Sequence, residues 1–305
     1  MAVLAWIFCG SLSLGAAEAK HILFFTKSSG FEHSAIKRTN GELSHAEKVL
    51  TELGKKHSFE VTCTKDGGVF TPENIAKYDA FFFYTTGDLT KPGTDKQPPM
   101  TAAGKAAFLQ AIKNGKGFIG THSASDTFHT EPDSKEAGTR YQNYGDKSDP
   151  YVLMLGGEFI KHGPQQKAKM IVVDPKFPGC EELGSDFELM EEWYSLKEFA
   201  SNLHVILVQD TAGMKGAEYK RGPYPATWAR TYGKGRVFFT SMGHREDVWT
   251  NPKFQSLLLG GIDWALGNIK ADVTPNLEQA APKHGDFPPK PDENKPEKAK
   301  TKRKT

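Results

Sequence analysis

The sequence predicts an α/β protein whose largely parallel sheet is covered by helices on both faces, and three observations carry that prediction. Short apolar runs alternate with amphipathic helical stretches up to His122. The runs Ile22-Leu23-Phe24-Phe25 and Ala80-Phe81-Phe82-Phe83-Tyr84 are apolar without alternation, as strands buried on both faces are. The glycine-led segment Gly115-Lys116-Gly117-Phe118-Ile119-Gly120-Thr121-His122-Ser123-Ala124-Ser125-Asp126 then ends a strand in imidazole, hydroxyl and carboxylate groups. An open parallel sheet binds ligands beyond the carboxyl ends of its strands.

In chain order, the first strand is expected over residues 20–26, followed by the loop Lys27-Ser28-Ser29-Gly30-Phe31-Glu32-His33. A helix follows with Leu43, Ala46, Val49, Leu50 and Leu53 on one stripe. Phe59-Glu60-Val61-Thr62-Cys63 is a second strand, and Thr71-Pro72 reads as an N-cap with proline at the first helical position. The third strand covers residues 79–85, and an alanine-rich helix over residues 101–113 stops at Asn114-Gly115. Residues 127–150 form a long polar insertion, a length that in a compact domain points to function. Strands resume at residues 169–173, 187–190, 204–208, 226–230 and 236–240, the last two joined by the hairpin turn Tyr232-Gly233-Lys234-Gly235. Asn251-Pro252 caps a final helix over residues 253–266.

The composition, 38% hydrophobic and 25% charged over 305 residues, is that of an ordinary globular chain. Residues 1–19 read as a secretory signal peptide ending Ala17-Glu18-Ala19, since the apolar run falls short of the roughly 20 residues a spanning helix needs. No other stretch is apolar enough for stable membrane insertion, and a periplasmic or extracellular location is expected. Cys63 and Cys180 remain after the signal, either as one disulfide or as two inert thiols. One domain is expected over residues 20–269 and a disordered Pro/Lys-rich tail over residues 270–305. Residues 283–305 carry a net charge of +4 out of the chain's +2, so the body is nearly neutral and nucleic acid is not an expected partner.

The elbow reads Gly120-Thr121-His122-Ser123-Ala124, which puts His122 where an acyl-transfer enzyme of G-x-S-x-G type carries its nucleophile. The elbow lacks a thiol, which excludes Cys-based glutaminase chemistry there, and Ser123 lies one residue past the apex and reads as a cap. Neither a P-loop nor a G-x-G-x-x-G follows a strand, so no nucleotide is expected. His33, His122, His129, His162 and His244 all fall in loops after strands or glycine turns. The loops after the first strand, the elbow strand and the strand ending at Thr240 should bring His33, His122 and His244 together. Three neutral imidazoles suit zinc or another divalent metal, whereas two with a carboxylate suit proton transfer. Asp126 and Glu192 are the carboxylates to partner them, although Asp126, like Asp247, is as readily a helix cap. Glu192 precedes Trp193 and Tyr194, an acid beside aromatic surface of the kind that binds sugars, or else it is a strand residue paired with a lysine.

These segments, with Gly156-Gly157-Glu158-Phe159-Ile160-Lys161-His162, Gly235-Arg236-Val237-Phe238-Phe239-Thr240-Ser241-Met242-Gly243-His244 and Gly260-Gly261-Ile262-Asp263-Trp264, resemble the ThuA-like family named for trehalose utilisation. The resemblance implies a flavodoxin-like, class I glutamine-amidotransferase-like three-layer sandwich with a mostly parallel central sheet. It also implies a role in carbohydrate catabolism beside enzymes that oxidise sugar rings. The combined expectation is an exported protein acting on a keto-sugar or glycoside as an isomerase, lyase or hydrolase. His122, His33, Glu192 and Asp126 would do the chemistry, with Phe31, Trp193, Tyr194, His162 and His244 holding the sugar. The alternative is a sugar-binding protein of the same fold without catalysis. A third, weaker alternative is a partner-binding module whose crevice is filled by residues 127–150. Export predicts cleavage after Ala19, leaving Lys20 as the mature N-terminus; N-terminal sequencing checks it, and residues 1–19 retained on a cytoplasmic protein would refute it.

Overall fold

The structure, a computed structural model, describes residues 19–131 and 140–288. Most of the expected signal, part of the insertion and the end of the tail lie outside those residues. The strands are β1 (Lys20–Phe25), β2 (Phe59–Thr64), β3 (Ala80–Phe83), β4 (Gly117–Thr121), β5 (Glu158–His162), β6 (Gln166–Val172), β7 (Asp186–Glu191), β8 (Tyr194–Lys197), β9 (His204–Gln209), β10 (Tyr224–Tyr232) and β11 (Gly235–Thr240). Nine of them form one sheet in the order β2-β1-β3-β4-β11-β10-β9-β6-β7, and β5 and β8 pair separately. From β2 to β11 the strands are parallel, and from β11 through β10, β9 and β6 to β7 each pair is antiparallel. Because β2 and β3 flank β1 on opposite sides, the winding reverses there, and that reversal opens a crevice at the carboxyl edge.

The two sheet faces follow from the two-residue period of the strands. Ile22, Phe24, Phe82, Ile119 and Phe238 point to one face. Leu23, Phe25, Phe81, Phe83, Phe118 and Phe239 point to the other. The first is covered by α1 (His45–His57) and the last long helix (Pro252–Leu266), the second by the helix Ala102–Lys113 and the short helix Pro150–Leu155. Ser44 and Glu47 form a reciprocal cap that starts α1. Leu43, expected on its apolar stripe, precedes that cap and is exposed; the stripe is Ala46, Leu50 and Leu53. Thr71, Thr101 and Asn251 all cap helices, the last with Pro252 at the first position. The final helix lies so close to β11 that a Cβ on Gly261 would sit 2.5 Å from the Phe238 ring.

Residues 270–288, the first part of the expected tail, pack against the domain. Leu277 and Ala281 are buried in the second core, the Asn276 amide bonds both backbone groups of Val205, and Arg221 donates to the His284 carbonyl. The Pro/Lys-rich composition begins only beyond this anchor.

A charged cluster ties the elbow to β5. His129 donates from Nε2 to Asp126 at 2.6 Å and from Nδ1 to Glu158 at 2.9 Å, and Glu158 also accepts from Thr130 and lies 3.7 Å from the Lys197 ammonium. Burial by itself would lower the imidazole's pKa, but the hydrogen bonds to Asp126 and Glu158 outweigh it and hold it up at about 10. A histidine raised in the fold stabilises fully below its unfolded value, and the contribution is lost as pH rises through the folded one. The stability difference between the native protein and His129→Gln should therefore be greatest below pH 6.5 and shrink toward about pH 10, as thermal melts across that range would show. A difference independent of pH would contradict the charged assignment. Phe82, fully buried with its ring 4.6 Å from that of Phe24, tests the core: Phe82→Ala should cost about 3–5 kcal/mol in denaturant unfolding.

Candidate functional site

Three parallel strands and one connection each deliver a side chain to the same place. After β1, the loop to His33 is held by Thr86, whose hydroxyl donates to the Phe31 carbonyl at 2.8 Å, and by the Lys65–Glu32 ion pair at 3.1 Å. After β4, His122 takes a left-handed backbone with φ +44, the sharp turn expected of the elbow. That conformation carries a cost for any residue other than glycine and persists only where the surroundings fix it. Its Nδ1–H donates to the Ser241 carbonyl just past β11, at 3.2 Å. Beyond Ser241 the chain turns through Gly243, at φ +116, to His244.

The buried Glu191 at the end of β7 fixes that turn. One carboxylate oxygen accepts from the backbone N–H groups of Gly243 at 2.8 Å and His244 at 3.1 Å, and the other accepts from Glu192 at 2.9 Å. Burial pushes Glu191 up to about 7 despite these bonds. Nothing in the Glu191-Glu192 pair distinguishes in sequence which acid turns inward to the backbone and which reaches the histidines; only the strand's register does.

The ring centroids of His33, His122 and His244 form a near-equilateral triangle with sides of 4.9, 5.0 and 5.1 Å, each pair of planes close to perpendicular. His244 Nδ1 lies 3.2 Å from His122 Nε2 and 3.2 Å from a Glu192 oxygen, which is itself 3.8 Å from His122 Nε2. One ligand atom from each of His33, His122, His244 and Glu192 lies within 4.8 Å of the others. The second Glu192 oxygen is 3.3 Å from His162 Nδ1, because the pairing of β5 with β8 sets His162 opposite Tyr194. Burial, and then the neighbouring His244, lowers His33 to about 3; burial and then His33 and His244 hold His122 well below its usual range. Both rings are neutral at physiological pH and present lone pairs.

Exposure orders these groups from floor to mouth. His122 is fully buried, the side chains of His244 and Glu192 are 13% and 14% exposed, that of His162 is 44% exposed, and Phe31 is 69% exposed with its ring 5.0 Å from His33. His122 is therefore the floor of the crevice, not its rim. Phe31 and His162, two of the expected substrate contacts, are the most exposed of these groups, whereas Trp193 is a fully buried core residue whose indole donates to the Gln166 carbonyl. Tyr194 is also buried, its ring 4.1 Å from His122 and its hydroxyl 3.4 Å from His33 Nε2, so it backs the imidazoles and offers no open stacking face. Asp126 is bonded to His129 and is not one of the side chains grouped at the cluster of His33, His122, His244 and Glu192. Glu192 pairs with histidines and not with a lysine. Ser123 does not cap the turn: among the described residues its buried hydroxyl, like those of Thr121 and Ser241, has no hydrogen-bond partner. Asp247 is paired with Arg245 at 2.8 Å. Cys63 and Cys180 are free, and burial pushes both thiols up to about 12, far from thiolate reactivity.

Comparison with protein families matches residues 21–265 to the family described as trehalose utilisation, ThuA. Among solved structures, ThuA-like proteins from Bacteroides uniformis and Parabacteroides merdae superpose with TM-scores of 0.58 and 0.55, each at 20% identity. The superpositions cover 84% and 86% of this chain and 95% and 96% of the two neighbours. At that identity the likeness establishes a shared fold. Comparison with curated protein sequences finds no match. The family model spans the sheet and every strand that contributes to the histidine cluster, and the chain belongs to the ThuA family.

Proposed function

We propose that this protein serves carbohydrate catabolism by acting on an oxidised sugar or glycoside, with proton transfer carried out by Glu192 and the histidines behind it. The observation that carries the reading is Glu192 held at 3.2–3.8 Å from three imidazoles at the carboxyl edge of the sheet. A ketone on a sugar ring acidifies the neighbouring C–H. In the proposed reaction the partly exposed Glu192 carboxylate takes that proton, the C–H electron pair becomes the C=C bond of an enediolate and the carbonyl π pair moves to oxygen; the neighbouring hydroxyl then passes its proton to that oxygen and becomes the new ketone, and Glu192 returns its proton to the former carbonyl carbon. His244 Nδ1 touches both Glu192 and His122, so the pair can share charge with the carboxylate while the reaction proceeds. Phe31, the most exposed large apolar side chain among the described residues, gives an apolar C–H face of a sugar something to cover. Export by residues 1–19 belongs to the same proposal.

Turnover of keto-glycosides by the purified mature protein tests the reading. Glu192→Gln should keep the fold and lower kcat by roughly 10²–10⁴-fold, the range for a positioned proton-transfer group. His122→Ala should lose rate and stability together, because the ring it deletes is fully buried. Undiminished turnover in Glu192→Gln would remove the carboxylate from the chemistry. A saccharide that raises the melting temperature without any turnover would select the non-catalytic sugar-binding alternative.

A further inference from the structure

We propose that His33, His122, His244 and Glu192 are the ligands of one divalent first-row transition-metal ion, with Gln165 and Arg245 governing whether His244 is available to it. The geometry is that of a coordination shell. Nitrogen and oxygen ligands about 2.0–2.2 Å from a tetrahedral ion stand roughly 3.3–3.6 Å from one another. The His122–His244, His244–Glu192 and His122–Glu192 separations of 3.2, 3.2 and 3.8 Å bracket that value, and the whole set lies within 4.8 Å. Three imidazoles and one carboxylate suit zinc and its neighbours in the first transition row, with Glu192 binding through the oxygen that faces His122 and His244 and its other oxygen, beside His162, left to take the substrate proton.

Two further observations point to a cation. The first is the orientation of His122: with Nδ1–H committed to the Ser241 carbonyl, its Nε2 lone pair must face the cluster, the outer-shell arrangement that orients a metal-binding histidine. The second is incomplete satisfaction. Among the described residues, His33 Nδ1 is buried with no hydrogen-bond partner, and its Nε2 has the Tyr194 hydroxyl at 3.4 Å. A buried polar group left unpaired costs about 1–3 kcal/mol. Three rings packed around one point, with few protons between them, would leave that penalty uncompensated unless a cation shares their lone pairs.

Gln165 adds a control on this centre. Its Oε1 accepts from Arg245 at 2.9 Å, which turns its amide N–H toward His244 Nε2, also at 2.9 Å. His244 Nε2 is then an acceptor, which leaves the ring proton on Nδ1, the atom that faces His122 and Glu192. Coordination through Nδ1 requires that proton to move to Nε2 and the Gln165 amide to present oxygen instead. A carboxylate at position 165 would accept from His244 Nε2–H in either rotamer and still pair with Arg245, which favours the metal-binding tautomer.

Calorimetric titration of metal-stripped protein with zinc, with no sugar present, separates this proposal from the catalytic one. One ion per chain is expected. Glu192→Gln and His244→Ala, checked for native folding by circular dichroism, should weaken binding by more than the roughly 10–100-fold that outer-shell changes cost. Gln165→Glu should tighten it, and His129→Gln, outside the cluster, should leave it unchanged. Absence of saturable one-to-one binding, or native affinity in both Glu192→Gln and His244→Ala, would overturn the metal centre. Unchanged or weaker affinity in Gln165→Glu would overturn the role given to Gln165.

Discussion

The bond from His122 Nδ1 to the Ser241 carbonyl is the joint on which the site depends. It links the ends of two adjacent parallel strands, β4 and β11, at the point where one makes a left-handed turn and the other begins the run to His244. Without it the ring could rotate its lone pair away from His244, even though the Ser125 hydroxyl, donating to the His122 carbonyl at 3.0 Å, would still hold the backbone turn. The same bond dictates the tautomer, so one interaction sets position, orientation and protonation together.

Burying this much polar chemistry needs support from elsewhere in the fold. Glu191 supplies it by accepting three backbone hydrogen bonds from the two segments that carry Glu192 and His244. The Glu32–Lys65 pair and the Thr86 hydroxyl do the same for the loop that carries His33. On the opposite side of the elbow the His129 cluster fixes residues 126–130 to β5, and β5 in turn carries His162. Each functional side chain thus sits on a segment tied down by a neighbouring buried polar group, which is how a site made of loops keeps its geometry.

Much of the fold was legible in the sequence because its signals are local. Uninterrupted apolar runs, the Thr71, Thr101 and Asn251 caps and the glycine hairpin after Tyr232 each need only a few neighbouring residues to be read, and the structure places them as the patterns required. The convergence of His33, His122 and His244 was also legible, since parallel strands deliver their following loops to one edge. The remainder depends on register and on long-range partners. Trp193 and Tyr194 looked like a sugar platform because aromatic composition does not say which face a strand turns outward. Asp126 looked catalytic because its partner, His129, can be recognised only once the turn has folded. Glu191 and Glu158 could not be given roles from their own segments, because those roles come from backbone and side-chain groups far away in the chain. The packing of residues 270–288 likewise rests on Leu277 and Asn276, two residues that no local pattern singles out.

The buried, pre-oriented imidazole at the elbow is most directly tested by nitrogen NMR of the metal-free protein with isotope-labelled histidines. His122 should remain neutral, with its proton on Nδ1, as the solution is acidified well below pH 6.5. An imidazolium signal from His122 appearing near pH 6.5, or a neutral ring protonated on Nε2, would show that the ring is solvated or turned, and the arrangement described for the site would be wrong.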